Sequence, residues 1–343
     1  MSGPAAPPRS AKPGGLRVAV VGATGALGSE VLAAIDAARL PVAALLPIGT
    51  DRSLGAEIEF GGRSAPVLTD ASALEGADVV FVCTPAAAAL DWIAEAVRRR
   101  VLAIDLSGAL YASESLAASP ELARLLDTPD APLVAPPPGP ALAWLRVLAP
   151  LHQGLAGVQR VVGTALVSAS GSGRAGVEAL HAETVALLSQ SGDDDDLPAL
   201  DHPIAFDVLP WAGTIGDDGA SEAERALAAS LRRGLGAEAA LAVSVARVPT
   251  FCGDAASLAI ECGAPAEPAR VRELLRKARD VELVDDPRGP TTRGAAGLER
   301  VLVGRVRRDP SRPGAVLLWL AADSARLAAA DAVRTAIGRL GLP

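Results

Sequence analysis

The chain has 343 residues and a mass of 34.6 kDa, which is long for one ordinary core and predicts two domains. Half of its residues are apolar but only 3% are aromatic, and 32 basic residues against 40 acidic ones leave a net charge of −8, which argues against a nucleic-acid partner. No apolar stretch reaches the ~18–20 residues of a membrane span, no signal peptide is visible and the three cysteines are widely spaced, so we expect a soluble cytoplasmic protein with no membrane partner, disulfide framework or metal site.

The first half of the sequence alternates strands and helices. Residues 1–15 are rich in Pro, Gly, Ala and Ser and are predicted to be disordered. Short buried strands and helical patterns then follow one another. The predicted strands cover residues 16–21, 42–48, 78–83 and 102–105, with helices after the first strand and over 86–100. This alternation is typical of a doubly wound parallel sheet, so we expect a Rossmann-like α/β domain over residues 16–135.

The second half has longer strands and more variable connections. A proline-rich bend at residues 136–138 precedes a predicted helix over 141–151. The further predicted strands are 161–168, 240–248, 257–262, 300–306 and 315–321, and the further predicted helices are 173–189, 222–233 and 267–279. We therefore expect a second α+β domain around a mixed sheet, over residues 136–322. The four adjacent acidic residues at 193–196 are typical of a solvated loop rather than of a cation site.

A glycine pattern follows the first strand. Gly22, Gly25 and Gly28 have the spacing of a dinucleotide fingerprint and stand between a strand and a helix, as that fingerprint requires. The glycines let the backbone turn tightly and approach a pyrophosphate, which the helix N-terminus stabilises. The predicted contacts on this loop are Gly22, Thr24, Gly25, Ala26, Leu27 and Gly28. The alternative is a tight turn with a purely structural role.

The second strand ends at a polar segment. Thr50 and Ser53 offer hydroxyl groups and Arg52 offers a cation that suits a ribose 2′-phosphate, which favours NADP over NAD. Asp51 opposes that preference because its charge repels a phosphate. A solvated loop charge is the alternative interpretation of Arg52.

Several short motifs, in the same order along the chain, resemble the aspartate-β-semialdehyde dehydrogenase family. They are GATGALG at 22–28, RSLG at 52–55, PLH at 150–152, SGSGRAG at 170–176, HPIAF at 202–206, RVP at 247–249, VGR at 303–305 and WLAAD at 319–323. The resemblance runs from residue 16 to the C-terminus. It implies an NAD(P)-binding domain completed by a C-terminal helix at 323–343, a dimerisation and substrate domain, and a homodimer. It also implies that Ser170, Gly171 and Gly173 form a loop that faces the nicotinamide.

The family reduces aspartyl phosphate with NADPH through a thioester on a cysteine, and it also uses a histidine acid/base and an arginine that holds the substrate carboxylate. By this resemblance the nucleophile position is Gly139, the base position is Asp254 and the glutamine position is Val167. Arg247 matches the carboxylate-binding arginine, and a retained structural or anion-binding role is the alternative to a part in a working site. The remaining degenerate positions are Tyr111 for the phosphate-binding arginine, Ala223 and Ala226 for the substrate helix, and Ser324, Leu327 and Ala328 near the C-terminus. The chain is thus expected to be a homologue without the catalytic Cys and His.

The cysteines offer one weak substitute for the nucleophile. Cys252 stands two residues before Asp254 and is expected on the same strand face, where a small buried hydrophobic role is the default and the nearby carboxylate opposes thiolate formation. Cys83 and Cys262 are expected in the core. The three histidines lack the spacing of metal ligands.

Three functions stay open at this point. The first is a catalytically inactive family member that retains a dinucleotide or small-molecule site and dimerises; the sequence leaves open whether the nucleotide still binds. The second is an NADP-dependent oxidoreductase on another substrate, with Asp254 as the base. The third is the family's own reaction in amino-acid biosynthesis, through an unrecognised nucleophile.

Overall fold

The computed structural model describes residues 14–111, 120–126, 128, 130–189 and 202–342. The predicted disorder at 1–15 and the predicted loop at 193–196 fall almost wholly outside these residues, which include only Gly14 and Gly15 of the first segment. The chain forms two compact units: unit 1 comprises residues 1–138 and 328–343, and unit 2 comprises residues 139–327.

Unit 1 contains the predicted parallel sheet. Its strands are β1 (Leu16–Val21), β2 (Val42–Ile48), β5 (Val79–Val82), β6 (Leu102–Asp105) and β7 (Leu133–Val134), in the order β2-β1-β5-β6-β7 and all parallel. The helices of its first part are α1 (Ala26–Ala37), α2 (Ala86–Arg98) and α3 (Pro120–Leu126). Strands β5 and β6 are buried along their whole length, as expected for a sheet covered on both faces.

A small hairpin in unit 1 was not predicted. Strand β3 (Glu57–Phe60) pairs antiparallel with β4 (Arg63–Pro66). Gly61 and Gly62 join them, both with positive φ, at +58° and +73°. Two such residues make the two-residue turn that suits a hairpin, so the Gly-Gly pair is the signal that would have identified it.

Unit 2 contains the predicted mixed sheet. Its strands are β8 (Val158–Val167), β9 (Ala240–Arg247), β10 (Asp254–Cys262), β11 (Val281–Leu283), β12 (Val301–Arg308) and β13 (Val316–Ala322), in the order β11-β12-β13-β10-β8-β9. The pairs β8–β9 and β11–β12 are parallel and the other pairs are antiparallel. The helices are α4 (Pro140–Gly154), α5 (Gly173–Ser189), α6 (Glu222–Leu235), α7 (Pro268–Arg276), α8 (Thr292–Ala295) and α9 (Ser324–Arg339). The division between the units falls within α9.

One face of the unit 2 sheet packs against α4. A Cβ at Gly163 would lie 2.8 Å from the ring of Trp144 on α4 and 2.6 Å from Leu258 on β10, so glycine is needed for this close approach. The opposite face is open. It carries a shallow depression of about 430 Å³, whose lining side chains are mostly small: Val162, Thr164, Ala242, Ser244, Ser257, Ala259 and Leu317.

Within the described ranges, no helix combines the length and the apolar character that crossing a membrane requires.

Candidate functional site

The glycine loop of unit 1 is shaped by close backbone approaches. Gly22 has φ +82°, and a Cβ there would lie 2.9 Å from the carbonyl oxygen of Cys83. A Cβ at Gly28 would lie only 2.2 Å from the carbonyl oxygen of Gly22, which no side chain tolerates. Gly22 is therefore required by its close approach to the end of β5, and Gly28 by the packing of α1 against the end of β1. The loop has the shape of a dinucleotide cradle.

Some backbone N–H groups of the loop donate hydrogen bonds to the protein itself, whereas others, at the start of α1, are available to a ligand. The N–H groups of Gly22 and Ala23 both donate to the carbonyl of Ile48, at 2.8 and 3.2 Å. Helix α1 begins after Gly25 without a side-chain cap, so the N–H groups of Ala26 and Leu27 point out of its first turn. An anion such as a pyrophosphate fits this position.

The predicted 2′-phosphate segment lies next to the loop. Residues Asp51–Ser53 form a 3₁₀ turn after β2, and the hydroxyls of Ser53 and Thr24 are 3.2 Å apart. This hydrogen bond joins the glycine loop to the segment that carries Thr50 and Arg52. Arg52 is exposed, as a phosphate-binding group at a groove edge would be.

One polar group at this crevice was not predicted. The strand order changes direction between β1 and β5, and ligands of such sheets bind outside the strand ends at that point. Thr84 follows β5 there, and its Oγ1 is buried with no hydrogen-bond partner in the described residues. A Cβ at Gly22 would lie 3.3 Å from the backbone nitrogen of Thr84. The orphaned hydroxyl and the cradle together fit a bound nucleotide.

Three positions that the resemblance assigns to the site, the matching Arg247 and the degenerate Val167 and Asp254, converge at one end of the unit 2 sheet. Val167, the last residue of β8, pairs with Arg247 at the end of β9. On its other side, Leu166 pairs with Ala255, which places Asp254 beside Val167. The three positions therefore form one row across neighbouring strands, which lie about 4.8 Å apart.

Gly139 stands at the same end of unit 2. Helix α4 leads into β8 and so runs antiparallel to it, with Trp144 opposite Gly163. Its start therefore lies toward Val167. Gly139 is the N-cap at φ +51° and ψ −135°, a conformation that only glycine adopts without strain, and Pro140 occupies the first helical turn, where proline is favoured. Among the described residues, no heavy atom beyond its chain neighbours lies within 4 Å of where a Cβ would be.

Asp254 is buried and well supplied with donors. One carboxylate oxygen, Oδ1, accepts from the backbone N–H of Ser168 at 2.9 Å and from the Ser168 hydroxyl at 3.0 Å. The other oxygen accepts from the Ser324 hydroxyl. Burial raises the pKa of Asp254 above its usual value, and the hydrogen bonds from the two serines oppose that rise.

A further serine is linked to this carboxylate, and a buried threonine hydroxyl lies on the adjoining segment. The Oγ atoms of Ser168 and Ser170 are 2.9 Å apart, so Ser170 is linked to Asp254 through Ser168. The carbonyls of Thr250 and Phe251 accept from the N–H groups of Ala169 and Ser170. The Oγ1 of Thr250 is buried with no hydrogen-bond partner within the described ranges. Ser324 had been singled out by the resemblance, whereas the contact of Ser168 with Asp254 was not predicted, because the two residues are 86 positions apart along the chain.

The cysteines differ from what was expected. Cys252 was predicted to be small, buried and on the strand of Asp254; it is exposed, and β10 begins only at Asp254, because Gly253 turns the chain at φ +83°. Cys83 and Cys262 were predicted in the core; both residues stand at a strand end and are partly exposed, whereas the thiol of Cys83 is itself buried. Burial raises the pKa of the Cys83 thiol, and raises the pKa of Cys262 to about 11.

The other singled-out residues have structural partners. The Tyr111 hydroxyl donates to the carbonyl of Ala135 at 2.9 Å. Nδ1 of His152 accepts from the N–H of Val158 at 3.1 Å, and His202 packs edge-on against Trp211. In the described part of the chain, no three His, Cys, Asp or Glu side chains are grouped to hold a metal ion. Ala223 and Ala226 lie on α6, and Ser170, Gly171 and Gly173 belong to unit 2, whereas the other predicted cofactor contacts belong to unit 1.

Comparison with known proteins identifies both units. Residues 17–140 match the semialdehyde dehydrogenase NAD-binding domain, and residues 148–327 match the semialdehyde dehydrogenase dimerisation domain. An aspartate-semialdehyde dehydrogenase of Synechocystis is 29% identical over 93% of this chain and 95% of its own. A USG-1 protein homologue of Pseudomonas aeruginosa is 33% identical over 92% and 94%. The crystal structure of aspartate semialdehyde dehydrogenase II complexed with ASA from Vibrio cholerae superposes with a TM-score of 0.82 at 26% identity, over 95% of this chain and 98% of that one.

The matches span nearly the whole chain and agree with the parallel sheet of unit 1 and the mixed sheet of unit 2. The chain belongs to the semialdehyde dehydrogenase family, as a homologue of aspartate-semialdehyde dehydrogenases.

Proposed function

We propose that this chain is a family member that binds an NADP-type dinucleotide and a small carboxylate but does not reduce aspartyl phosphate through a thioester. The observation that carries this proposal is Gly139, which has no side chain and stands at the end of unit 2 where Val167, Arg247 and Asp254 converge. A nucleophile is indispensable to that route: in the protease subtilisin, removal of the nucleophile costs on the order of 10⁶ in turnover.

The dinucleotide part of the proposal rests on unit 1. When bound, the nicotinamide supplies hydride chemistry. The residues of the chain hold the nucleotide: the first turn of α1 binds the pyrophosphate, Thr84 offers a buried hydroxyl at the crevice, and Arg52 pairs with a 2′-phosphate. Arg247 in unit 2 suits the bidentate binding of a carboxylate.

Two of the three cysteines are poor replacements for the missing nucleophile of the thioester route. Cys83 and Cys262 have raised thiol pKa values, which oppose thiolate formation. Cys262 is also at the far end of β10 from Asp254. Cys252 is exposed near the site, so it is the one thiol to test. Tyr111 occupies the family's phosphate-arginine position, and its hydroxyl already donates to a backbone carbonyl.

Alkylation separates these alternatives. Iodoacetamide is applied to the wild type and to Cys252→Ser. Because the proposed dinucleotide site is in unit 1 and needs no thiol, NADPH binding, measured by calorimetry, is expected to be unchanged in both proteins. If instead a semialdehyde dehydrogenase activity is present and is lost with Cys252, the thioester route operates and the proposal is wrong.

An oxidoreductase without an acyl-enzyme is the second candidate. It is favoured by the buried Asp254 carboxylate, whose raised pKa suits a general base better than an ordinary aspartate does. In that case Arg247→Ala removes turnover of a carbonyl substrate by NADPH, and an unchanged rate excludes this candidate.

We further propose that the chain is a cytoplasmic homodimer. The dimerisation-domain match covers the sheet of unit 2, whose open face presents small side chains that a second flat face can approach closely. Ser257 is exposed near the centre of this face. Light scattering is expected to give twice 34.6 kDa for the wild type and one chain mass for Ser257→Arg. A wild-type monomer contradicts the proposal.

A further inference from the structure

Three side chains of unit 2 form a continuous hydrogen-bonded chain. Ser170 Oγ lies 2.9 Å from Ser168 Oγ, which lies 3.0 Å from Oδ1 of Asp254. The carboxylate is fixed on its other side by the Ser324 hydroxyl. Ser170 is thus joined to a carboxylate base through one intervening hydroxyl, and the base is oriented by a third group, as in an activated nucleophile with a relay between hydroxyl and base.

The protons of this chain have one consistent order when Asp254 is ionised. The carboxylate only accepts, so the single hydroxyl proton of Ser168 goes to Asp254. Ser168 Oγ then accepts the proton of Ser170. The lone pairs of Ser170 Oγ therefore point away from the chain, and Ser170 is partly exposed whereas Ser168 and Asp254 are buried.

The start of a long helix lies next to Ser170. Ser170 lies in a 3₁₀ turn, Ala169–Ser172, that leads directly into the 17-residue helix α5. A Cβ at Gly176 would lie 2.3 Å from the carbonyl oxygen of Ala169, so this glycine lets the helix start pack closely against the turn. The positive end of the helix macrodipole is thus next to Ser170.

From the hydrogen-bonded chain and the adjacent helix start, we propose that Ser170 is a nucleophile that accepts acyl groups from activated esters. The Ser170 oxygen bonds to the acyl carbon as the bond to the leaving group breaks, and the leaving group departs with that electron pair. The Ser170 proton passes to Ser168, and the Ser168 proton passes to Asp254.

Water then completes the cycle. Its oxygen bonds to the acyl carbon, the bond to Ser170 breaks, and the proton held by Asp254 returns through Ser168 to Ser170. The acyl group leaves as a carboxylic acid, and the second water proton is released to the solvent. No group is oxidised or reduced, so this activity is independent of the dinucleotide and goes beyond the proposed function.

A fluorophosphonate probe tests the proposal on the full-length protein at pH 8, with peptide mass spectrometry to locate the adduct. The expected result is a single adduct on Ser170, together with hydrolysis of 4-nitrophenyl acetate. Both are lost in Ser170→Ala and retained in Ser172→Ala, a matched control from the same turn. Ser168→Ala, which breaks the relay but keeps Ser170, is expected to slow labelling by about 10²-fold, the usual contribution of general-base catalysis.

Circular dichroism and urea unfolding show whether each variant is folded, and Ser324→Ala gives a second test of the relay should Ser168→Ala fail to fold. The proposal is overturned by an absence of adduct in the wild type, by an adduct on another residue, or by labelling of Ser170 at an unchanged rate in the folded relay variants.

Discussion

The backbone N–H of Ser168 donates to the carboxylate of Asp254 over 2.9 Å, joining the end of β8 to the start of β10. Ser324, at the start of α9, donates to the other oxygen of the same carboxylate. A single buried acid therefore holds three chain segments together at the end of unit 2 where the degenerate catalytic positions converge. By resemblance this is the position of the family's acid/base histidine.

Replacing Asp254 is expected to change how stability depends on pH. Its pKa is raised in the folded protein, so between the usual value near 3.8 and the raised value the folded state holds this proton more tightly than the unfolded chain. The stabilisation is complete below that window and is lost as the pH rises through it. In Asp254→Asn, the free energy of unfolding from urea titrations between pH 4 and 7 is expected to fall less with rising pH than in the wild type.

Other carboxylates, such as Glu273 and Asp286, have lowered pKa values and also make stability depend on pH. They are present in both the wild type and Asp254→Asn, so their contributions cancel when the two pH dependences are compared. If the free energy of unfolding falls equally with pH in the wild type and in Asp254→Asn, the pKa of Asp254 is not raised in the folded protein.

The third glycine of the fingerprint is expected to be essential for unit 1. In Gly28→Ala, the new Cβ would lie 2.2 Å from the Gly22 carbonyl oxygen, so α1 must move away from β1. We expect a loss of about 1–3 kcal/mol in the free energy of unfolding, as is typical of overpacking, and at least tenfold weaker NADPH binding. Chemical unfolding and calorimetry measure the two effects.

Gly338→Ala is the matched control, because Gly338 is also helical and no heavy atom within the described residues lies close to its Cβ position. That variant is expected to gain up to about 1 kcal/mol and to bind NADPH normally. Equal stability losses in the two variants argue against the close approach.

Cofactor preference is expected to depend on Arg52. Arg52 lies in the turn that the hydrogen bond between Thr24 and Ser53 joins to the glycine loop. Its side chain is exposed, so it is available for a 2′-phosphate and makes no contribution to the core. In Arg52→Ala, calorimetry is expected to show about tenfold weaker binding of NADPH, the cost of one charge-assisted contact, with NADH binding unchanged. Asp51→Ala is expected to strengthen NADPH binding instead. Parallel losses for NADPH and NADH refute this role for Arg52.

A thiol placed at residue 139 is expected to be reactive but strained. The space at the Gly139 Cβ position is open, whereas φ +51° with ψ −135° costs a side-chain-bearing residue about 1–3 kcal/mol. Gly139→Cys is therefore expected to unfold at lower urea concentration and to form a carbamidomethyl adduct at residue 139, identified by peptide mapping. The wild type serves as the control, because it shows how much carbamidomethylation occurs at the exposed Cys252. A thiol that stays unreactive at this position shows that the site is closed.

Much of the fold follows from local pattern, whereas the candidate site does not. The run Leu16–Val21 is buried as its β-branched composition predicts, and Pro140 starts α4. The hairpin of β3 and β4 escaped prediction because its strands are short and half-exposed. Asp254 meets partners 86 and 70 residues away in sequence, and such pairings depend on strand order, which no local pattern encodes.

The absence of the thioester route is tested most directly by a turnover assay on protein shown by calorimetry to bind NADP⁺. Aspartate semialdehyde, phosphate and NADP⁺ are supplied together, and NADPH formation is followed by absorbance. Binding without turnover is the predicted result, because Gly139 offers no nucleophile for a thioester. NADPH formation at a rate that depends on phosphate contradicts the account and makes Cys252 the first residue to replace.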